Sequence, residues 1–303
     1  MAFALPGART RKPAKRRRGL FVPAVLLFPV MMWLVLFFVV PTIALASQSL
    51  QTGSIYQGFQ FTWAFSNYTS AISTYWSQIL RSFVFAGIAT VFTLAIGFPL
   101  AWFIAHRSGR FKNIVLVLVI APFFTNFLIR TLAWQTILVD GGVVANTLNA
   151  TGIMSLLRWV GLVPNDSLLG SPFAVICGLI YNFLPFMVLP LYASVERIDQ
   201  RYLDAASDLY ANGWSTFWRV IWPLSLPGVV AGTLLTFIPA VGDYINAKIL
   251  GNANTTMVGK VIESEFLTNL NYPIAAALSF ILMIIIIVMV SAYVRASGTE
   301  ELV

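Results

Sequence analysis

The chain has 303 residues, of which 58% are hydrophobic and only 10% are charged. So large an apolar fraction exceeds the needs of a soluble core and indicates burial in lipid. The net charge of +8 does not indicate nucleic acid, because the basic residues gather at the ends of apolar segments. One cysteine, Cys177, and one histidine, His106, exclude a disulfide framework and leave too few ligands for a metal site.

The N-terminal 19 residues contain seven Lys or Arg and no acid, which predicts a disordered basic tail that resists translocation. An apolar segment follows at about 20–46. It is too long for the apolar region of a signal peptide and long enough to cross a hydrocarbon core of about 30 Å. We therefore expect an uncleaved first membrane span.

Five more spans are predicted, at about 82–105, 113–138, 172–194, 219–242 and 272–294. The connection 139–171 is expected to contain a short surface helix, and 243–271 a long external loop. With the N-terminus inside, 14 of the 19 Lys and Arg residues lie on the cytoplasmic side, as the positive-inside rule requires. The prediction is an all-α membrane protein with a six-helix domain at 20–295, a short tail at 296–303, and both termini in the cytoplasm.

The longest charged interval between two spans lies at about 196–218. Asp199 is predicted to cap a helix that begins at Gln200 and has an apolar face. Asn212-Gly213 is expected to supply the left-handed residue that ends this helix. A second helix, starting at Trp214, should be bent or broken by the two prolines that follow. The alternative for this interval is an amphipathic connector on the lipid surface.

The motif Asp204-Ala205-Ala206, followed by Gly213 and Val220-x-Trp222-Pro223, resembles the EAA loop of ABC-importer permeases. Two positions depart from that pattern, because Tyr210 stands where the family has glycine and Trp222 where it has leucine. The resemblance implies a type I importer permease of the MetI-like fold, whose loop docks on a cytoplasmic ATPase. The coupling residues it implies are Asp204, Ala205, Ala206, Leu209, Tyr210 and Gly213.

Three further segments resemble the permeases of spermidine/putrescine importers, a match that covers most of residues 20–295. They run from Ala121 to Trp134, from Phe237 to Tyr244 and from Tyr272 to Phe280. The resemblance implies a bacterial inner-membrane subunit that acts with a second homologous permease, an ATPase dimer and an external solute-binding protein. Permeases for iron, thiamine and other solutes are relatives of this subfamily, so those solutes remain alternatives.

Carboxylates and aromatic rings on the external side suit a cationic solute, since each ring adds about 0.5–2 kcal/mol by cation–π attraction. The candidate pathway residues are Asp243, Tyr244, Trp134, Tyr181 and Glu263. Aromatic residues also gather at membrane interfaces, and Asp243 could be an ordinary interfacial acid.

The sequence has no GxxxxGK[ST] loop, so ATP–Mg is expected on a partner and no cofactor on this chain. A secondary carrier is disfavoured because the centres of the predicted spans lack Asp, Glu, Lys and Arg. An intramembrane enzyme is disfavoured because no nucleophile, base or metal cluster is evident.

Overall fold

The computed structural model describes residues 21–164 and 167–297. The predicted basic tail, 1–19, lies outside the described residues, as does all but the start of the predicted tail 296–303. The chain divides into two compact units, residues 1–45 and 46–303. In the first unit, α1 (Phe21–Leu34) continues through a π-helical turn, Val35–Val39, into α2 (Val40–Ser49), which extends into the second.

The second unit opens with a hairpin of β1 (Gln51–Ser54) and β2 (Gly58–Phe61), paired antiparallel with Gln51 opposite Phe61. The prediction of an all-α chain is therefore wrong at this point, and the fold is mostly helical. Gly53 has φ +125°, and a Cβ atom there would lie 2.1 Å from the carbonyl oxygen of Gly58. Only glycine fits such a position.

The second span is longer than predicted. Helix α3 (Ser66–His106) has 41 residues and departs from helical geometry at Tyr75, with φ −114° and ψ 16°. Its first 16 residues are polar enough that hydropathy placed them in the preceding loop.

The third predicted span, at about 113–138, is broken in the structure. Helix α4 (Lys112–Ile120) and a 3₁₀ turn (Ala121–Phe124) are followed by α5 (Phe127–Ile137) after a bend of 94°. Asn126 begins α5 by accepting a hydrogen bond from the Leu128 amide at 2.8 Å. Pro122 and this cap together explain why the helix stops and restarts.

The remaining elements follow in chain order. They are α6 (Val143–Ala150), α7 (Ile153–Trp159), α8 (Pro172–Val195), α9 (Gln200–Asp208), α10 (Gly213–Thr216), a π turn (Phe217–Ile221), α11 (Trp222–Val241), α12 (Ile245–Ile249), α13 (Val258–Leu267) and α14 (Tyr272–Ala296). The short surface helix expected within 139–171 is present as α7. Among the described residues, five helices are long and apolar enough to cross a membrane, or six spans if the bent α4–α5 pair counts as one.

Helices α3, α8 and α11 form the centre of the bundle, and two glycines of α11 set their spacing. A Cβ on Gly228 would lie 2.6 Å from the Pro190 carbonyl oxygen, and one on Gly232 would lie 2.8 Å from the Met187 sulfur. Small residues at this spacing allow helix backbones to approach closely. The prediction that Pro223 and Pro227 bend or break this helix is wrong as to a break, because α11 runs continuously past both prolines. A π turn directly before α11 is the irregularity.

Candidate functional site: a surface loop and a buried polar cluster

The loop between α8 and α11, which carries the EAA-like motif, is a capped helix followed by a tight reversal. The Asp199 carboxylate accepts a hydrogen bond from the Arg201 amide at 3.0 Å, which confirms the predicted cap. Asp204 is exposed and accepts a bond from the Gln200 side chain at 3.3 Å. The pattern predicts that both alanines of the motif lie on the surface of the helix; Ala205 is exposed, but Ala206 is only 8% exposed and packs inward, which corrects the prediction for Ala206.

The left-handed residue of this loop is Tyr210, with φ 56°, and not Gly213 as the sequence predicted. The Tyr210 amide donates to the Ser207 carbonyl at 2.9 Å and the Ala211 amide to the Ala206 carbonyl at 3.0 Å. These two bonds form a Schellman cap, in which glycine is the usual left-handed residue. Gly213 instead begins α10 after the Asn212 cap.

The reversal leaves Leu209 and Tyr210 projecting outward, 80% and 98% exposed. Beside them is a groove of about 550 Å³ lined by Ala205, Ala206, Leu209, Tyr210, Thr216 and Arg219 among others. The six predicted coupling residues thus lie on one continuous loop, and all but Asp204 and Gly213 line this groove. Its mixed lining suits contact with another protein.

An ion pair connects this loop to the start of the broken third span. Lys112, the first residue of α4, pairs with Glu196, which follows α8, and lies 5.4 Å above the ring of Tyr192. Lys112 lowers the pKa of Glu196 through this hydrogen bond. The pair joins the third span directly to the segment that leads into α9.

Near the middle of α8, a buried polar cluster joins three helices. The side-chain nitrogen Nδ2 of Asn182 in α8 donates to the Thr131 hydroxyl in α5 at 3.3 Å. It also donates to the side-chain oxygen Oδ1 of Asn246 in α12 at 3.1 Å. Asn182 Oδ1 and Asn246 Nδ2 are buried without hydrogen-bond partners. A Cβ on Gly178 would lie 2.6 Å from Asn246 Oδ1, so this glycine allows α12 to approach α8.

Asp243 belongs to this cluster through Asn246. Its carboxylate accepts a hydrogen bond from the Asn246 backbone amide at 2.8 Å, and the residue is 8% exposed. Burial raises the pKa of Asp243 to about 6, although the hydrogen bond from the Asn246 backbone amide acts in the opposite direction. A carboxyl group with this pKa changes charge near neutral pH.

The other predicted pathway residues are distributed around the cluster. Trp134 and Tyr181 contact each other edge to face, with ring centroids 5.6 Å apart, on the helices that carry Thr131 and Asn182. Tyr244 is 42% exposed beside Asp243. Glu263 is engaged elsewhere, because Lys248 at 2.7 Å and Lys260 at 2.5 Å pair with its carboxylate and lower its pKa.

Sequence reasoning missed three members of this site: Thr131, Asn182 and Asn246. Asn182 is uncharged, so a charge pattern does not reveal it although it lies in the middle of an apolar span. Asn246 has no distinguishing signal, since it sits in a connection that was expected to be a plain loop.

The family model described as "Binding-protein-dependent transport system inner membrane component" matches residues 97–297. The chain belongs to this family. It is 38% identical over 269 residues to the spermidine/putrescine transport system permease protein PotB of Haemophilus influenzae, covering 88% of this chain and 90% of that one. The PotB protein of Escherichia coli K12 is 36% identical over 267 residues, covering 88% and 94%.

Similar solved structures support the fold. A bacterial ABC transporter involved in import of the acidic polysaccharide alginate has a chain that aligns with a TM-score of 0.69 at 17% identity, covering 92% of this chain and 96% of that one. The solved structure thereby confirms the mostly helical fold, and the family match confirms that the chain is an inner-membrane component of a binding-protein-dependent transport system.

Proposed function

We propose that this chain forms the translocation pathway for a polyamine in an ATP-driven importer. The observation that carries the proposal is its identity of 36–38% over 88% of its length with permeases named for spermidine and putrescine. The site chemistry supports a cationic solute, because Asp243 provides a carboxylate and Trp134 and Tyr181 provide aromatic faces.

In this proposal the loop from Asp204 to Gly213 faces the cytoplasm and docks on one subunit of an ATPase dimer. A second homologous permease completes the pathway, both termini are cytoplasmic, and an external solute-binding protein delivers the polyamine. ATP closes the ATPase dimer and displaces the loop. Because α8 and α11 flank the loop and pack on each other through Gly228 and Gly232, they transmit that displacement to the buried cluster midway along α8.

The docking surface is tested by Ala205→Arg, which places a long cationic side chain at the exposed edge of the groove without filling the core. Ala253→Arg is the matched control, an exposed alanine at the other end of the bundle. We expect Ala205→Arg to reduce co-purification of the ATPase at least tenfold and Ala253→Arg to leave it unchanged. Equal recovery of the ATPase with both variants would refute the docking assignment.

The solute is tested in cells that lack other polyamine importers and express this permease with its neighbouring subunits. Radiolabelled spermidine uptake is measured with excess unlabelled putrescine, thiamine, ferric iron or sulfate. The proposal predicts that only the polyamine competes. Competition by thiamine, iron or sulfate would leave the importer assignment intact but would refute polyamine as its solute.

A further inference from the structure

Arg130 in α5 is a buried cation without a counter-charge in the described part of the chain. It is 6% exposed, and its Nε and Nη1 groups have no hydrogen-bond partner. Its guanidinium carbon lies 5.5 Å from the centre of the Phe127 ring, and it also has a favourable electrostatic interaction with Tyr181, but neither residue carries a negative charge. Arginine cannot shed its proton to escape this cost, as lysine can.

The carboxylates that form ion pairs within residues 21–164 and 167–297 are engaged with other cations. Asp199 pairs with Arg201, Glu196 with Lys112, and Glu263 with two lysines. Asp243, which joins the cluster through Asn246, accepts a hydrogen bond from the Asn246 backbone amide and forms no ion pair with Arg130. A buried charge left unpaired is strongly destabilising, so Arg130 requires a group from outside the described chain.

The space beside Arg130 is open to that group. A pocket of about 600 Å³ is lined by Phe123, Phe124, Asn126, Phe127, Arg130, Asn182, Phe183 and Phe186 among others. Phe124 at its rim is 85% exposed and Phe123 46% exposed, so the pocket opens on an uncovered aromatic face. Asn182 Oδ1, an acceptor without a partner, belongs to a residue that lines the same pocket.

Lipid is a poor occupant of this face. The helix is interrupted at Thr125 and Asn126. Non-helical backbone at membrane depth is tolerated only inside protein or beside water. An arginine in a membrane segment likewise faces protein or an aqueous cavity. A polyamine cannot be the counter-ion, because it carries the same sign of charge as Arg130. The aromatic rim together with the fixed positive charge fits a protein surface that carries an acid.

We propose that the broken third span packs against the second permease subunit, and that this subunit presents a carboxylate to Arg130. The inference rests on the proposed function, which supplies a second permease. It adds which face makes the contact and which charge the partner must carry. The acid would satisfy Nε and Nη1, and the partner's apolar side chains would cover Phe123 and Phe124.

The test compares Arg130→Met with Arg81→Met, a control at an arginine whose guanidinium bonds within the chain to the Thr256 carbonyl at 3.0 Å. Each variant is purified both alone and with the second permease and the ATPase. We expect Arg130→Met to reduce recovery of the second permease at least tenfold, while the thermal midpoint of the isolated chain stays unchanged or rises. Arg81→Met should do the reverse, lowering the midpoint of the isolated chain with normal recovery of the second permease.

Normal recovery of the second permease with Arg130→Met would overturn the inference. So would a sulfate-dependent rise in the midpoint of the isolated wild-type chain that Arg130→Met abolishes, because the site would then hold a free anion. These results are distinct from failure of the proposed function. If the wild-type chain itself recovers no second permease, the proposed assembly fails before Arg130 is tested.

Discussion

Tyr210 occupies a left-handed backbone position that glycine adopts freely, so Tyr210→Gly should tighten the loop that follows α9. An L-residue in this conformation costs roughly 1–2 kcal/mol. The unfolded-state entropy of glycine offsets roughly 0.5–1 kcal/mol of the relief. Because the ring is 98% exposed, its removal sacrifices no packing within the chain. The net gain is about 0.5–1 kcal/mol, which corresponds to a roughly two- to fivefold change in a local opening equilibrium.

The assay is hydrogen–deuterium exchange of the peptide covering residues 200–216, read by mass spectrometry on the detergent-solubilised chain. The Ala211 amide, which donates to the Ala206 carbonyl, should exchange about two- to fivefold more slowly in Tyr210→Gly. Leu270→Gly is the control, since Leu270 has a similar φ of 53° in a different loop and should leave this peptide unchanged. Equal or faster exchange in Tyr210→Gly would refute the claim that the cap is strained.

Two further predictions concern the site and the bundle. Because the pKa of Asp243 is about 6, its charge is lost as the pH falls through that value, so the half-saturating polyamine concentration should rise about tenfold per pH unit below 6. In Asp243→Asn, the half-saturating polyamine concentration should be raised and independent of pH, while the complex assembles normally. A pH dependence unchanged from wild type would show that Asp243 is not in the pathway. Gly228→Val should prevent close packing of α11 on α8 and lower the thermal midpoint in detergent, whereas Gly87→Val, with no atom within 4 Å of its Cβ, should not. Equal midpoints would contradict the packing argument.

Hydropathy and cap chemistry predicted much of the fold. The spans at 172–194 and 272–294 agree with α8 and α14 to within two residues at each end. A long apolar segment in lipid forms a membrane-spanning helix, so its bounds follow from hydropathy. Asp199 was identified as a cap because a short carboxylate before a helical pattern has a specific partner, the amide of the first turn.

The errors arose at a helix end, at a bend and at long-range contacts, none of which a hydropathy pattern records. Tyr210 takes the left-handed position although Gly213 is three residues away, because the cap forms where α9 ends and not where glycine stands. The bend at Asn126 was invisible to a hydropathy average, since both arms are apolar. The cluster of Asn182, Thr131 and Asn246 depends on contacts 51 to 115 residues apart in sequence, which a local pattern cannot supply.

The central claim is tested most directly in proteoliposomes that contain this chain, the second permease and the ATPase, with the solute-binding protein added on the opposite side from ATP. The account predicts that labelled spermidine or putrescine accumulates only when ATP and every subunit are present. It also predicts that Ala205→Arg abolishes this accumulation. Uptake that proceeds without ATP or without the ATPase would contradict the account and indicate a secondary carrier.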